Sequence, residues 1–150
     1  MIKETLFNHC KIHLEKRIKA LEHHKKSLLE DLSSETKSSA GDKHETGRAM
    51  IQFEREKLGT QIRELELNYQ KLNSIKAHHN SYSNVINQGS VVFTDQANYY
   101  ISIAADYCKI NSKTFYCISP QSPIGKLLIG KKINDSIQFN TTVMTILNIV

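Results

Sequence analysis

The 150-residue sequence predicts an α+β protein in two parts: an N-terminal antiparallel coiled-coil hairpin of helices, then a small domain of mixed or antiparallel sheet with one short helix. Three observations predict it. Apolar residues in the first half recur at helical spacing, those in the second half alternate as in strands, and the composition changes between the halves. Residues 1–80 hold 15 of the 20 Lys and Arg and 12 of the 15 Asp and Glu, whereas residues 81–150 hold 5 and 3. The change falls near His78-His79-Asn80-Ser81. We therefore expect a hairpin over 1–79, a linker over 80–88 and a sheet domain over 89–150.

In the first arm Leu14, Ile18, Leu21, Leu28 and Leu32 step by 4, 3, 7 and 4, with Lys25 in the missing seam position and Phe7 one heptad back. In the second arm Leu58, Ile62, Leu65, Tyr69 and Leu72 step by 4, 3, 4 and 3. The intervening Ser33-Ser34-Glu35-Thr36-Lys37-Ser38-Ser39-Ala40-Gly41-Asp42 favours caps and turns over helix interiors. Two narrow-seamed helices with a turn between them make a hairpin, and so narrow a seam is expected to project from a body. Downstream, Ser90–Thr94, Tyr99–Ala104, Thr114–Ile118, Ser136–Asn140 and Val143–Val150 read as strands. One short helix interrupts them, with Ser122 as N-cap, Pro123 at its first position and Gly130 just past its end. Leu127 and Leu128 are expected to pin it to the sheet, and Cys108 and Cys117 to belong to the core.

The balance of 20 basic to 15 acidic residues gives +5 and suits association with a polyanion. No run approaches the ~18 apolar residues of a membrane span, and the N-terminal residues lack a signal-peptide pattern. Cys10, Cys108 and Cys117 lack metal-type spacing and read as free thiols of a reducing cytoplasm. A membrane protein and a secreted disulfide scaffold are the classes these features exclude.

Two stretches can carry chemistry. Asp42 and Glu45, in Gly41-Asp42-Lys43-His44-Glu45-Thr46-Gly47, sit three apart, so at a helix start both carboxylates project from one side. They could share a divalent cation or orient a water, and equally they could cap the helix and complement its dipole. Two carboxylates are too few for Mg²⁺, which wants six oxygens, so a metal role needs further ligands from another molecule. The second stretch is the basic cluster Lys16, Arg17, Lys19, Lys25 and Lys26 on the first arm. Lys16, Lys19, His23 and Lys26 line one helix face and could track a phosphate backbone, or form a solvated face offset by Glu15, Glu22 and Glu30.

Ser122-Pro123-Ile124-Gly125-Lys126-Leu127-Leu128-Ile129-Gly130-Lys131-Lys132, followed by Asn134-Asp135-Ser136-Ile137, resembles the signature of the bacterial Gre (GreA/GreB) transcript-cleavage factors. Gly89-Ser90-Val91-Val92 and Tyr100-Ile101-Ser102-Ile103 are similar to that family's first two strands, and the order hairpin, linker, small sheet is the Gre order. The resemblance implies an FKBP-like C-terminal domain docked at the rim of the RNA polymerase secondary channel, here through Ser122, Pro123, Ile124 and Gly125. It implies a coiled coil reaching down the channel, with Asp42 and Glu45 helping the polymerase hold Mg²⁺ and the attacking water that cuts backtracked nascent RNA. The isolated protein would hold no cofactor and would be a cytoplasmic, monomeric, DNA-associated elongation factor rather than an enzyme, with the basic cluster facing RNA. The tip departs from the family pattern at Lys43, His44, Thr46 and Ala49, where Leu, Ser, Asn and Tyr are usual. A non-cleaving modulator of the same fold, and a coiled-coil adaptor with no affinity for polymerase, are the alternatives.

Overall fold

The computed structural model describes residues 2–36, 41–76, 78 and 83–150, with side chains described outside 34–45. Two long helices open the chain, α1 (Ile2–Thr36) and α2 (Gly41–Lys76). Six strands follow: β1 (Val91–Thr94), β2 (Asn98–Ile101), β3 (Cys108–Ile110), β4 (Lys113–Ile118), β5 (Ser136–Phe139) and β6 (Thr142–Ile149), with α3 (Pro123–Leu128) between β4 and β5. This is the expected α+β architecture of a helical hairpin and a small sheet with one short helix.

The chain forms two compact units, one of Leu14–Leu67 and one of Met1–His13 with Asn68–Val150. In the first unit burial follows the heptad. Leu14, Ile18, Leu21, Lys25, Leu28 and Leu32 of α1, and Ile51, Arg55, Leu58, Ile62 and Leu65 of α2, are half-buried or buried, while nearly every residue between them is exposed. A seam two positions wide per heptad is the sequence pattern made visible.

In the second unit the sheet runs β3-β4-β2-β1-β6-β5. Every pairing is antiparallel except β2 with β4, which is parallel in the register Tyr99↔Tyr116 and Ile101↔Ile118. One face carries Val92, Ile101, Ile137, Met144 and Ile146, which form a core cluster with Ile86 and with Ile124 and Leu128 of α3. Ile124 and Leu128 are four apart and share a helix face. The expectation that both Leu127 and Leu128 pin the helix is therefore half met, because Leu127 is exposed.

On the opposite face Tyr100, Phe115 and Cys117 are buried. There the base of α1 joins the sheet. The Cys10 thiol meets the Ser102 hydroxyl at 3.6 Å, and His9 Nε2 donates to the Asp106 carbonyl at 2.8 Å. Leu6, Phe7 and Cys10 of α1, with Leu72 and Ile75 of α2, are buried in this unit. The Lys76 ammonium lies 5.4 Å from the Phe7 ring centroid. Here the apolar face widens from a seam to a patch because it covers a sheet as well as a helix.

Strand β3 is an addition to the sequence reading. It forms with β4 a two-residue hairpin whose turn residues, Asn111 and Ser112, have φ of 49° and 66°. Strand β2 ends at Ile101, short of the expected Ala104: the Ser102 N–H makes the last ladder bond, to the Ile118 carbonyl at 2.8 Å, and the chain bends at Ser102 and Ile103. Cys108 sits on edge strand β3 and is half-buried, whereas the core expectation holds for Cys117.

The Tyr100 hydroxyl is buried and has no hydrogen-bond partner among the described residues. Leaving such a group unpaired costs about 1–3 kcal/mol. Tyr100→Phe is therefore expected to raise unfolding stability by ~1 kcal/mol, read as a higher urea midpoint at an unchanged slope; a lower midpoint would show that the hydroxyl is bonded.

Candidate functional site

The acidic pair falls at the opening of α2, whose first residue is Gly41. A helix that begins there puts Asp42 and Glu45 on successive turns at its N-terminal end. Their side chains, with those of Lys43 and His44, lie outside the described residues, and so does the predicted convergence of the two carboxylates. Just beyond them Thr46, Ala49 and Met50 are exposed.

The predicted basic cluster divides in two. Lys16, Arg17, Lys19 and Lys26 are exposed, as are His23 and His24, so a cationic stripe does run along α1. Lys25 is half-buried at the seam, where it lines a groove with Gln52, Arg55, Glu56, Gly59, Thr60 and Arg63 of α2. No motif in the sequence pointed to the α2 members. The readable signal was Arg55 three residues before Leu58, in phase with the second seam.

The Ser122–Gly125 segment is built as a helix start. The Ser122 hydroxyl donates to the Ser119 carbonyl at 2.6 Å, and its oxygen accepts from the Gly125 N–H at 3.1 Å. Pro123 occupies the first turn, and Gly130, with φ of 84°, follows the end. The next turn is closed by Asp135, whose carboxylate accepts from the Lys132 N–H at 2.8 Å, while Asn134 takes φ of 74°. Asn fits that left-handed position well. Of the four residues assigned to partner contact, Ile124 and Gly125 are buried, Ser122 is half-buried in its cap, and Pro123 is exposed. Pro123, Lys126, Leu127 and Ile129 make up the solvent-facing side of this segment.

Two further groups were not anticipated. On the α3 side of the sheet Tyr99, Tyr116 and Tyr107 form a row, with ring centroids 6.1 Å and 6.5 Å apart, and Tyr107 and Tyr116 are exposed. Parallel pairing of β2 with β4 puts Tyr99 beside Tyr116, a neighbour relation invisible without the topology. Burial, then the adjacent Tyr116, raises the Tyr99 hydroxyl above its ordinary pKa. On the other side, Cys117 is held protonated by donating to Cys10 and by burial, which in turn favours the Cys10 thiolate. Burial raises Cys108 as well. Cys10 and Cys117 are closed to solvent. Among the described residues no group of three or more His, Cys, Asp or Glu is placed to hold a metal ion, and no helix is long and apolar enough to cross a membrane.

Fold and site together define a two-unit α+β protein that offers a narrow helical seam, a cationic helix face and a capped-helix sheet domain. Among solved structures the chain is similar to Gfh1 of Thermus aquaticus, at 16% identity over 95% of this chain and 94% of that one, with a TM-score of 0.34. It is similar also to the transcription factor Gfh1 at 19% identity over 91% and 90% of the two chains, again with a TM-score of 0.34. No family model and no curated protein matches the chain.

Proposed function

We propose that this protein is a Gre-type transcription elongation factor that enters the RNA polymerase secondary channel and stimulates cleavage of backtracked nascent RNA. The observation that carries the reading is the order of parts. A long helix with an exposed basic stripe precedes a second long helix that opens on Gly41-Asp42-Lys43-His44-Glu45, and a sheet domain bearing the capped Ser122-Pro123 helix follows. Asp42 and Glu45 supply two carboxylates, and Mg²⁺ wants six oxygens, so these residues suit an ion held jointly with the polymerase rather than by the isolated protein. The ion's contribution is to lower the pKa of a bound water and stabilise charge at the phosphate. The chain's own part is to bring two anionic oxygens to that place and to lay Lys16, Arg17, Lys19 and Lys26 along an RNA backbone. The protein so placed is a cytoplasmic monomer, a cofactor of the polymerase's own nuclease.

Lys43 favours a second reading, a non-cleaving modulator of the same channel. A lysine that lies between the two acids in sequence weakens their hold on a cation unless it turns toward phosphate.

Wild type and the Asp42→Ala/Glu45→Ala variant, added to a reconstituted backtracked complex, separate the two. Cleavage by wild type is expected to fall by about a hundredfold or more in the double variant, with polymerase binding retained, a loss of the size found when charge-stabilising groups are removed from an active site. Binding without cleavage by wild type selects the modulator. Absence of binding overturns both.

A further inference from the structure

The seam of Leu14–Leu67 is apolar at every described position but two. In α1 the series Leu14, Ile18, Leu21, Lys25, Leu28, Leu32 is broken by Lys25, and in α2 the series Ile51, Arg55, Leu58, Ile62, Leu65 is broken by Arg55. Both residues are half-buried, and both line the same groove of about 600 Å³. Arg63 lines it too, its Nη2 donating to the Thr60 hydroxyl at 3.3 Å while that hydroxyl donates to the Glu56 carbonyl at 3.1 Å. Three cations therefore face one carboxylate, that of the exposed Glu56. The Nε of Arg55 is buried and has no hydrogen-bond partner among the described residues.

A polar residue at a seam position can specify register, but it does so by pairing with a partner across the helices. Lys25 and Arg55 carry the same charge and cannot pair. Half-buried like charges repel, and the one carboxylate lining the groove, that of Glu56, does not balance three cations. Gly59 adds to the cost, since glycine inside a helix is less favourable than alanine, and an added Cβ would meet nothing within 4 Å. Packing does not require this glycine. It lines the groove beside the cations without a side chain of its own.

We infer that this groove is a binding site for a free phosphate-type oxyanion, inorganic phosphate or its diphosphate, which closes the seam as a counterion between Lys25 and Arg55. A guanidinium offers forked donors matched to phosphate oxygens, and a lysine adds a point charge. A tetrahedral anion can accept from donors on two helices at once, including the unpaired Nε–H of Arg55. The site differs in position from the exposed stripe of Lys16, Lys19 and Lys26, and it requires no polymerase.

The test is thermal unfolding of the full chain by far-ultraviolet circular dichroism in low-salt buffer. Sodium phosphate and sodium diphosphate are titrated against sodium chloride at matched ionic strength, with a short RNA lacking terminal phosphates as a further arm. Wild type is expected to show a saturable rise of roughly 5–10 °C at about a hundredfold excess over Kd. Arg55→Met and, independently, Lys25→Met are expected to abolish the rise, and to melt at or above wild type without phosphate because the seam becomes apolar. A folding failure in one variant leaves the other to decide. An equal rise with chloride, a rise retained in either variant, or a response to the RNA alone overturns the inference.

Discussion

Gly125→Ala is expected to lower the stability of the sheet unit by about 3 kcal/mol, at the upper end of the range for overfilling a packed site. A Cβ at this position would collide with the Ser119 carbonyl, and would stand 2.9 Å from Ser122 Oγ and 3.0 Å from Pro120 Cα. The obstacle is backbone, and it is not free to yield. The Ser119 carbonyl accepts from both the Ser122 N–H at 3.0 Å and the Ser122 hydroxyl at 2.6 Å. Shifting it releases the N-cap of α3, itself worth ~1 kcal/mol, and tilts Ile124 and Leu128 out of the core they share with Val92 and Ile146. Urea unfolding followed by tyrosine fluorescence, the chain having no Trp, reads the loss directly. A change below 0.5 kcal/mol (about the scatter of ordinary surface substitutions) would mean that the 119–125 turn relaxes freely.

Phe7→Ala is expected to cost more, about 3–5 kcal/mol, the usual range for truncating a fully buried phenylalanine. Phe7 is 2% exposed, and Leu6, Cys10, Leu72 and Ile75 are buried in the same compact unit. The diagnostic is where the loss appears. If the base of α1 belongs energetically to the sheet unit, amide hydrogen exchange should accelerate in β2 and β4 as well as in the helices. Acceleration confined to the helices would make Phe7 an ordinary seam residue.

Much of this architecture was legible because burial and period coincide. The 4, 3 steps of both arms are the residues that the structure withdraws from solvent, and the Ser122-Pro123 start and Gly130 end of α3 are read from local backbone chemistry that operates in any context. What was hidden depended on long-range pairing. Strand β3 has three residues and lies beyond a turn of Asn111-Ser112, which lacks the Asn-Gly signature of two-residue hairpins. Phe7 reads as one more heptad position. Its neighbours Leu6 and Cys10, which make the face too wide for a seam, were the overlooked sign of a sheet beneath. The row of tyrosines and the Lys25/Arg55 groove likewise arise from strands and helices that meet only in three dimensions. For Asp42 and Glu45 the spacing and the start of α2 agree, which places the pair on a helix end without saying what it does.

The docking of α1 onto the sheet has a consequence for synthesis. Cys10 meets Ser102 and His9 meets Asp106 across 92 and 97 residues of sequence. At ~5–20 residues per second a ribosome needs roughly 5–20 s to make that interval. For that time the apolar face of Leu6, Phe7 and Cys10 has been translated while the strands that will cover it have not. Helix α1 is thus synthesised before the strands that complete its packing, and its greasy base is left for that interval to whatever a chaperone can shelter.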